Sequence, residues 1–93
     1  MIDLLLYLFA YTLKTKTNKM ELTYGQKAVG ITFNPSYDDK VGMCKKKYAE
    51  LIDDMNNLRS ETTSLEVKRM CSIAITDLQS AQMWSVKSIT WKD

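Results

Sequence analysis

From Pro35 to the end the chain has no further proline and a single glycine, Gly42. These two residue types interrupt helices most strongly, so the stretch is free to run as helix wherever its apolar residues recur at helical spacing. They do recur. Val41, Cys44, Tyr48, Leu51, Met55 and Leu58 follow at steps of 3, 4, 3, 4 and 3, a heptad seam, and Ile52 widens it toward a globular core stripe. Lys46, Glu50, Asp53, Asn56 and Asn57 fall on the opposite face. The start is marked as well. Pro35 disfavours helical backbone at Asn34, Ser36 offers an N-cap hydroxyl, and Asp38 and Asp39 complement the helix dipole in a first turn. The predicted helix covers residues 37–58.

Arg59 to Ser64 is a polar break rich in capping residues. A second helical pattern runs from near Ser64 to about Ser88, with a main stripe of Val67, Met70, Cys71, Ala74, Leu78 and Ala81. Two long antiparallel helices joined by a short connection make an all-α helical hairpin. Upstream, MIDLLLYLFAYTL is too short to span a bilayer, which needs about 20 residues. It also lacks the basic start of a signal peptide. A short helix that docks on a partner surface is the expectation there, with Met20 as an alternative start. Residues 14–29 read as a basic linker with one extended piece around Leu22 to Tyr24. The chain therefore divides into an N-terminal apolar segment and linker (1–29) and a hairpin domain (30–93).

Bulk properties exclude several functions. A net charge of +2 falls far short of the basic face that duplex DNA requires. With no histidine and only two cysteines, Cys44 and Cys71, outside any CxxC spacing, His-based catalysis and the common zinc motifs are missing. No carboxylate pair has acid/base spacing. The expectation is a protein that is not an enzyme and carries neither cofactor nor metal. A two-helix hairpin also leaves Ile73, Met83, Trp84, Ile89 and Trp91 wet, and small domains gain stability by oligomerising. The chain is thus expected to be an obligate homo-oligomer.

The residues with chemistry each admit two readings. Lys45, Lys46 and Lys47 point in different directions at 100° per residue. Lys46 faces solvent, whereas Lys45 flanks the seam, as a surface charge or as a phosphate contact. Arg69 either pairs with Glu66 or offers its planar fork to a phosphate. Thr76, Asp77 and Gln79 place polar groups in mid-helix, which calls for compensating contacts. Phe33 is a hydrophobic staple on Val41 or a base-stacking ring.

Gly30 through Ser36, then Val41-x-x-Cys44-Lys45 and Tyr48-Ala49-Glu50-Leu51-Ile52-Asp53, resembles the first half of a known hairpin. Arg69-x-x-x-Ile73-x-x-Thr76-Asp77-Leu78-Gln79-x-x-x-Met83, with Val86 to Trp91, resembles its second half. The family is the phage anti-CBASS cyclic-oligonucleotide sponges, whose hairpin is shared with anti-Thoeris sponges. The resemblance covers residues 27–92. It implies a compact homohexamer that holds cyclic dinucleotides (3′,3′-cGAMP-like) and trinucleotides (cyclic tri-adenylate-like) without cleaving them, in the cytoplasm of an infected bacterial host.

Carried over residue by residue, the dinucleotide set is Phe33, Asn34, Pro35, Ser36, Lys45 and Tyr48. The trinucleotide set is Arg69, Gly30 and Thr76. The family's ring follows its glycine closely; here Ile31 takes that place and Phe33 is the nearest aromatic, with Tyr48 or Trp84 as substitutes. No partnership with duplex nucleic acid or membrane is expected. The competing expectations are a sponge for cyclic ADP-ribose-type signals and a small helical protein-binding scaffold.

Overall fold

The computed structural model describes residues 21–93, which form three helices. α1 is Tyr24–Val29, α2 is Asp39–Glu61 and α3 is Leu65–Thr90. Helices α2 and α3 make the expected antiparallel hairpin, joined through Thr62, Thr63 and Ser64. Ser64 caps α3 by accepting from the Val67 N–H at 3.2 Å, as its place in the polar break predicts. Lys68 donates to the Arg59 carbonyl at 2.9 Å and so satisfies an orphan acceptor in the last turn of α2. The apolar run read as a docking helix lies outside the described residues. No helix within them is long and apolar enough to cross a membrane.

The linker reading is corrected over residues 24–29, which form α1 rather than linker or strand. Thr23 and Gln26 build a capping box, each side chain bonding the other's backbone N–H at 3.1 and 2.9 Å. Gly30 ends the helix with φ of 62°, the left-handed geometry glycine takes most readily. α1 lies on α2 so closely that the Asp53 carboxylate accepts the Gly25 N–H at 2.7 Å.

The seam of α2 is also corrected. Val41, Lys45, Ala49 and Ile52 are buried, while Leu51 and Leu58 are exposed. α2 is packed on by both α1 and α3. Ala49 faces the close approach of α1 at Gly25, so the inward face is rotated toward smaller residues. The core cluster is Val29, Ala49, Ile52 and Ile75, with Ala28, Ile31, Tyr48, Met55 and Leu78 packed around it. The second stripe is likewise rotated: Cys71, Ile75 and Gln82 are buried, and Met70 and Ala81 are exposed. Ile73, Met83, Trp84 and Trp91 stay exposed, as expected for an unpartnered hairpin.

Candidate ligand-binding site

The segment between α1 and α2 folds as two consecutive turns. Phe33 N–H bonds the Gly30 carbonyl at 2.9 Å, and Tyr37 N–H bonds the Asn34 carbonyl at 3.2 Å. Pro35 sits second in the latter turn, where its fixed φ fits. Ser36 does not cap the helix. Its hydroxyl donates to Asn34 Oδ1 at 2.6 Å and accepts the Asp38 N–H at 3.2 Å, while Asn34 Nδ2 donates to the Asp38 carbonyl at 3.0 Å. Tyr37 takes a positive φ of 56°, so helical backbone cannot begin there. The N-cap is Asp38, whose carboxylate accepts the Lys40 N–H at 2.8 Å, and α2 starts at Asp39.

Lys45 is the organising residue. It is only 5% exposed, and its ammonium donates to the Gly30 carbonyl at 3.0 Å and to the Phe33 carbonyl. The Phe33 ring centroid lies 5.6 Å from that ammonium, within cation–π range. The ring is 70% exposed, so Phe33 is not the staple on Val41. Both partners of Lys45 are neutral carbonyls. The ion pair found among the described residues joins Arg69 and Glu66, so the Lys45 charge is left uncompensated beside a cavity.

That cavity, about 240 Å³, is walled by Phe33, Asn34, Pro35 and Ser36, by Val41 and Lys45 of α2, and by Val86 and Thr90 of α3. Five of the six residues assigned to the dinucleotide set therefore meet in one place. Tyr48 does not join them. Its hydroxyl shares a 2.8 Å hydrogen bond with that of Ser85, and it faces a separate depression with Lys40, Met43, Cys44 and Lys47. The side chains of Asn34 and Ser36 are engaged within the turn, so they shape the wall. Val86 and Thr90 were missed. Folding the chain back at Thr62–Ser64 sets the end of α3 beside the start of α2, and that register is the signal that could have found them.

The trinucleotide set is dispersed within one chain. Arg69 and Thr76 share a shallow depression with Ser72, Ile73 and Asp77, whereas Gly30 sits at the end of α1. Arg69 forks onto Glu66, Nη2 at 2.5 Å and Nε at 3.1 Å. Arg69 holds the Glu66 carboxyl below its ordinary pKa, and Glu66 raises Arg69 in return. Both side chains are exposed, where such a pair is weak. The Thr76 hydroxyl donates to the Ser72 carbonyl at 3.1 Å, a compensation within its own helix.

The family described as Acb2/Tad1, hairpin domain, matches residues 26–90. The chain belongs to this family. The match spans most of α1, both turns and the whole hairpin. No curated protein and no solved structure matches the chain. Membership in the Acb2/Tad1 hairpin family makes this a sponge-type protein, one that sequesters signalling molecules. In that light the Phe33–Lys45 cavity is notable for its chemistry: it joins an exposed ring, an uncompensated cation and apolar walls.

Proposed function

We propose that the protein is a phage-borne, non-enzymatic sponge. It binds cyclic dinucleotide and cyclic trinucleotide immune messengers in the cytoplasm of the infected bacterium and withholds them from CBASS effectors. The observation that carries this conclusion is the buried Lys45 ammonium, compensated only by carbonyls, on the wall of an apolar cavity beside an exposed aromatic ring. An anion with an attached flat base matches it: the phosphate answers the charge and the base stacks on Phe33.

The cavity is smaller than the roughly 300–1,000 Å³ of typical small-molecule sites. One chain therefore accommodates about one nucleotide half of a cyclic dinucleotide, and a symmetric copy supplies the other wall. Exposed Trp84, Trp91, Met83, Leu51 and Leu58 provide the apolar surface for that assembly, a homohexamer. In the assembly, copies of Arg69 exchange their exposed Glu66 partner for the phosphates of a trinucleotide.

Calorimetric titration with 3′,3′-cGAMP and cyclic tri-adenylate, followed by heat denaturation and analysis of the released ligand, tests this. The expected result is a nanomolar Kd, about −12 kcal/mol, with intact ligand recovered and a multimeric mass in light scattering of the same sample. Cleaved ligand would make the protein an enzyme. Binding of cyclic ADP-ribose alone would move it to the anti-Thoeris class, and no binding at all would leave a protein-binding scaffold.

A further inference from the structure

Gly30 and Phe33 lie 15 and 12 residues before Lys45, so the bonds of its ammonium tie α2 to the segment that forms the cavity wall. The Gly30 carbonyl is shared, accepting the Phe33 N–H at 2.9 Å as well as Lys45 Nζ at 3.0 Å. The turn that presents the Phe33 ring is thus closed at its base by the lysine. An ammonium has three N–H donors. Two are used on the loop, which leaves the third for a ligand without breaking either bond. The loop's own side-chain bonds, Ser36 to Asn34 and Asn34 to Asp38, all lie beyond Phe33 in the chain. None of them reaches Gly30.

We infer that Lys45 is a positioning residue as well as a charge: its ammonium pins Gly30 and Phe33 and so builds the ligand-free loop in its binding form. The ligand then joins without displacing either carbonyl. Loss of the lysine obliges the ligand to order the loop itself, and apparent affinity falls by the fraction of molecules with the loop formed.

Amide hydrogen exchange on ligand-free protein tests the pin, with Lys45→Met as the variant because methionine keeps an unbranched apolar stem in the buried channel. The Phe33 amide, which shares the Gly30 carbonyl with Lys45, is expected to exchange at least about tenfold faster than in wild type, while the Ile75 amide in α3 stays unchanged. An unchanged rate at Phe33 would overturn the inference. Should Ile75 also lose protection, the wild-type protein decides instead. ¹⁵Nζ-labelled Lys45 should show slowly exchanging ammonium protons before ligand is added, and the signal should persist at saturation. Rapid exchange in the free protein, or loss of the signal on binding, would overturn it.

A second arm rests on the proposed dinucleotide site. Lys45→Met should weaken 3′,3′-cGAMP binding by at least the factor by which Phe33 exchange rises, and a smaller loss would contradict the coupling. If wild type binds no cyclic oligonucleotide, the functional reading fails while the exchange arm still judges the pin.

Discussion

Gly25→Ala is expected to lower the melting temperature of this protein by roughly 12–24 °C, the equivalent of about 3 kcal/mol or more in a domain of this size. α1 meets α2 through Gly25. A methyl there would stand 2.1 Å from the Ala49 carbonyl oxygen and 2.9 Å from its carbon. Both atoms belong to the backbone of a long helix and cannot rotate away, so α1 must shift. Shifting it breaks the 2.7 Å bond from Gly25 N–H to the Asp53 carboxylate, a charge-assisted contact that contributes about 1.5–3 kcal/mol. Circular dichroism melting checks this, with Gly42→Ala as the control. A methyl at Gly42 meets nothing within 4 Å, and alanine is the better helix former by about 0.5–1 kcal/mol, so the control should melt higher. A Gly25→Ala protein that melts within 3 °C of wild type, or about that, would mean that α1 is not docked this way.

Thr90→Trp is expected to reduce affinity for 3′,3′-cGAMP by about 100-fold or more, close to 3 kcal/mol, while leaving the fold intact. Thr90 is the last residue of α3 and exposed, yet it lines the cavity opposite Phe33. Its hydroxyl donates only to carbonyls of its own last turn, Val86 at 2.9 Å among them. Replacing it costs little stability, but an indole projected into a recess of about 240 Å³ leaves no room for a base. Binding of cyclic tri-adenylate, proposed to occur at Arg69, should persist. Calorimetry on both ligands provides the check. Equal loss of both, or loss of neither, would show that the cavity and the Arg69 depression do not divide the ligands.

The hairpin was legible because its signals are local. The absence of helix breakers after Pro35, the capping run that ends at Ser64 and the 3.6-residue recurrence of apolar residues all act within a few positions. The inward face was not legible to the same degree. A heptad template scores Leu51 and Leu58 above Lys45 and Ala49, yet burial went to the latter pair. Ala49 is inward because its small side chain admits the Gly25 backbone. Lys45 is inward because carbonyls twelve and fifteen residues earlier receive its ammonium. Neither partner can be seen from periodicity.

α1 was hidden for a different reason. The lysines and threonines of residues 14–29 resemble a linker, although Thr23-x-x-Gln26 followed by Gly30 is a capping box with a C-terminal glycine, and it would have revealed the helix. The site was partly legible for the same mixture of reasons. Phe33 to Ser36 and Lys45 do converge, but Tyr48 lies one helical step away on the Ser85 side, and Val86 and Thr90 enter only through the register of the hairpin.

The cavity between the Phe33–Ser36 turn, Lys45 and the end of α3 is the proposed seat of the cyclic dinucleotide. A ¹H–¹⁵N titration of the protein with 3′,3′-cGAMP locates the bound ligand. The largest shifts are expected on Gly30 to Tyr37, Lys45, Val86 and Thr90, with intermolecular contacts from the base protons to the Phe33 ring. Shifts confined to Arg69–Asp77 or to the Tyr48–Ser85 depression, with the Phe33 ring untouched, would contradict it.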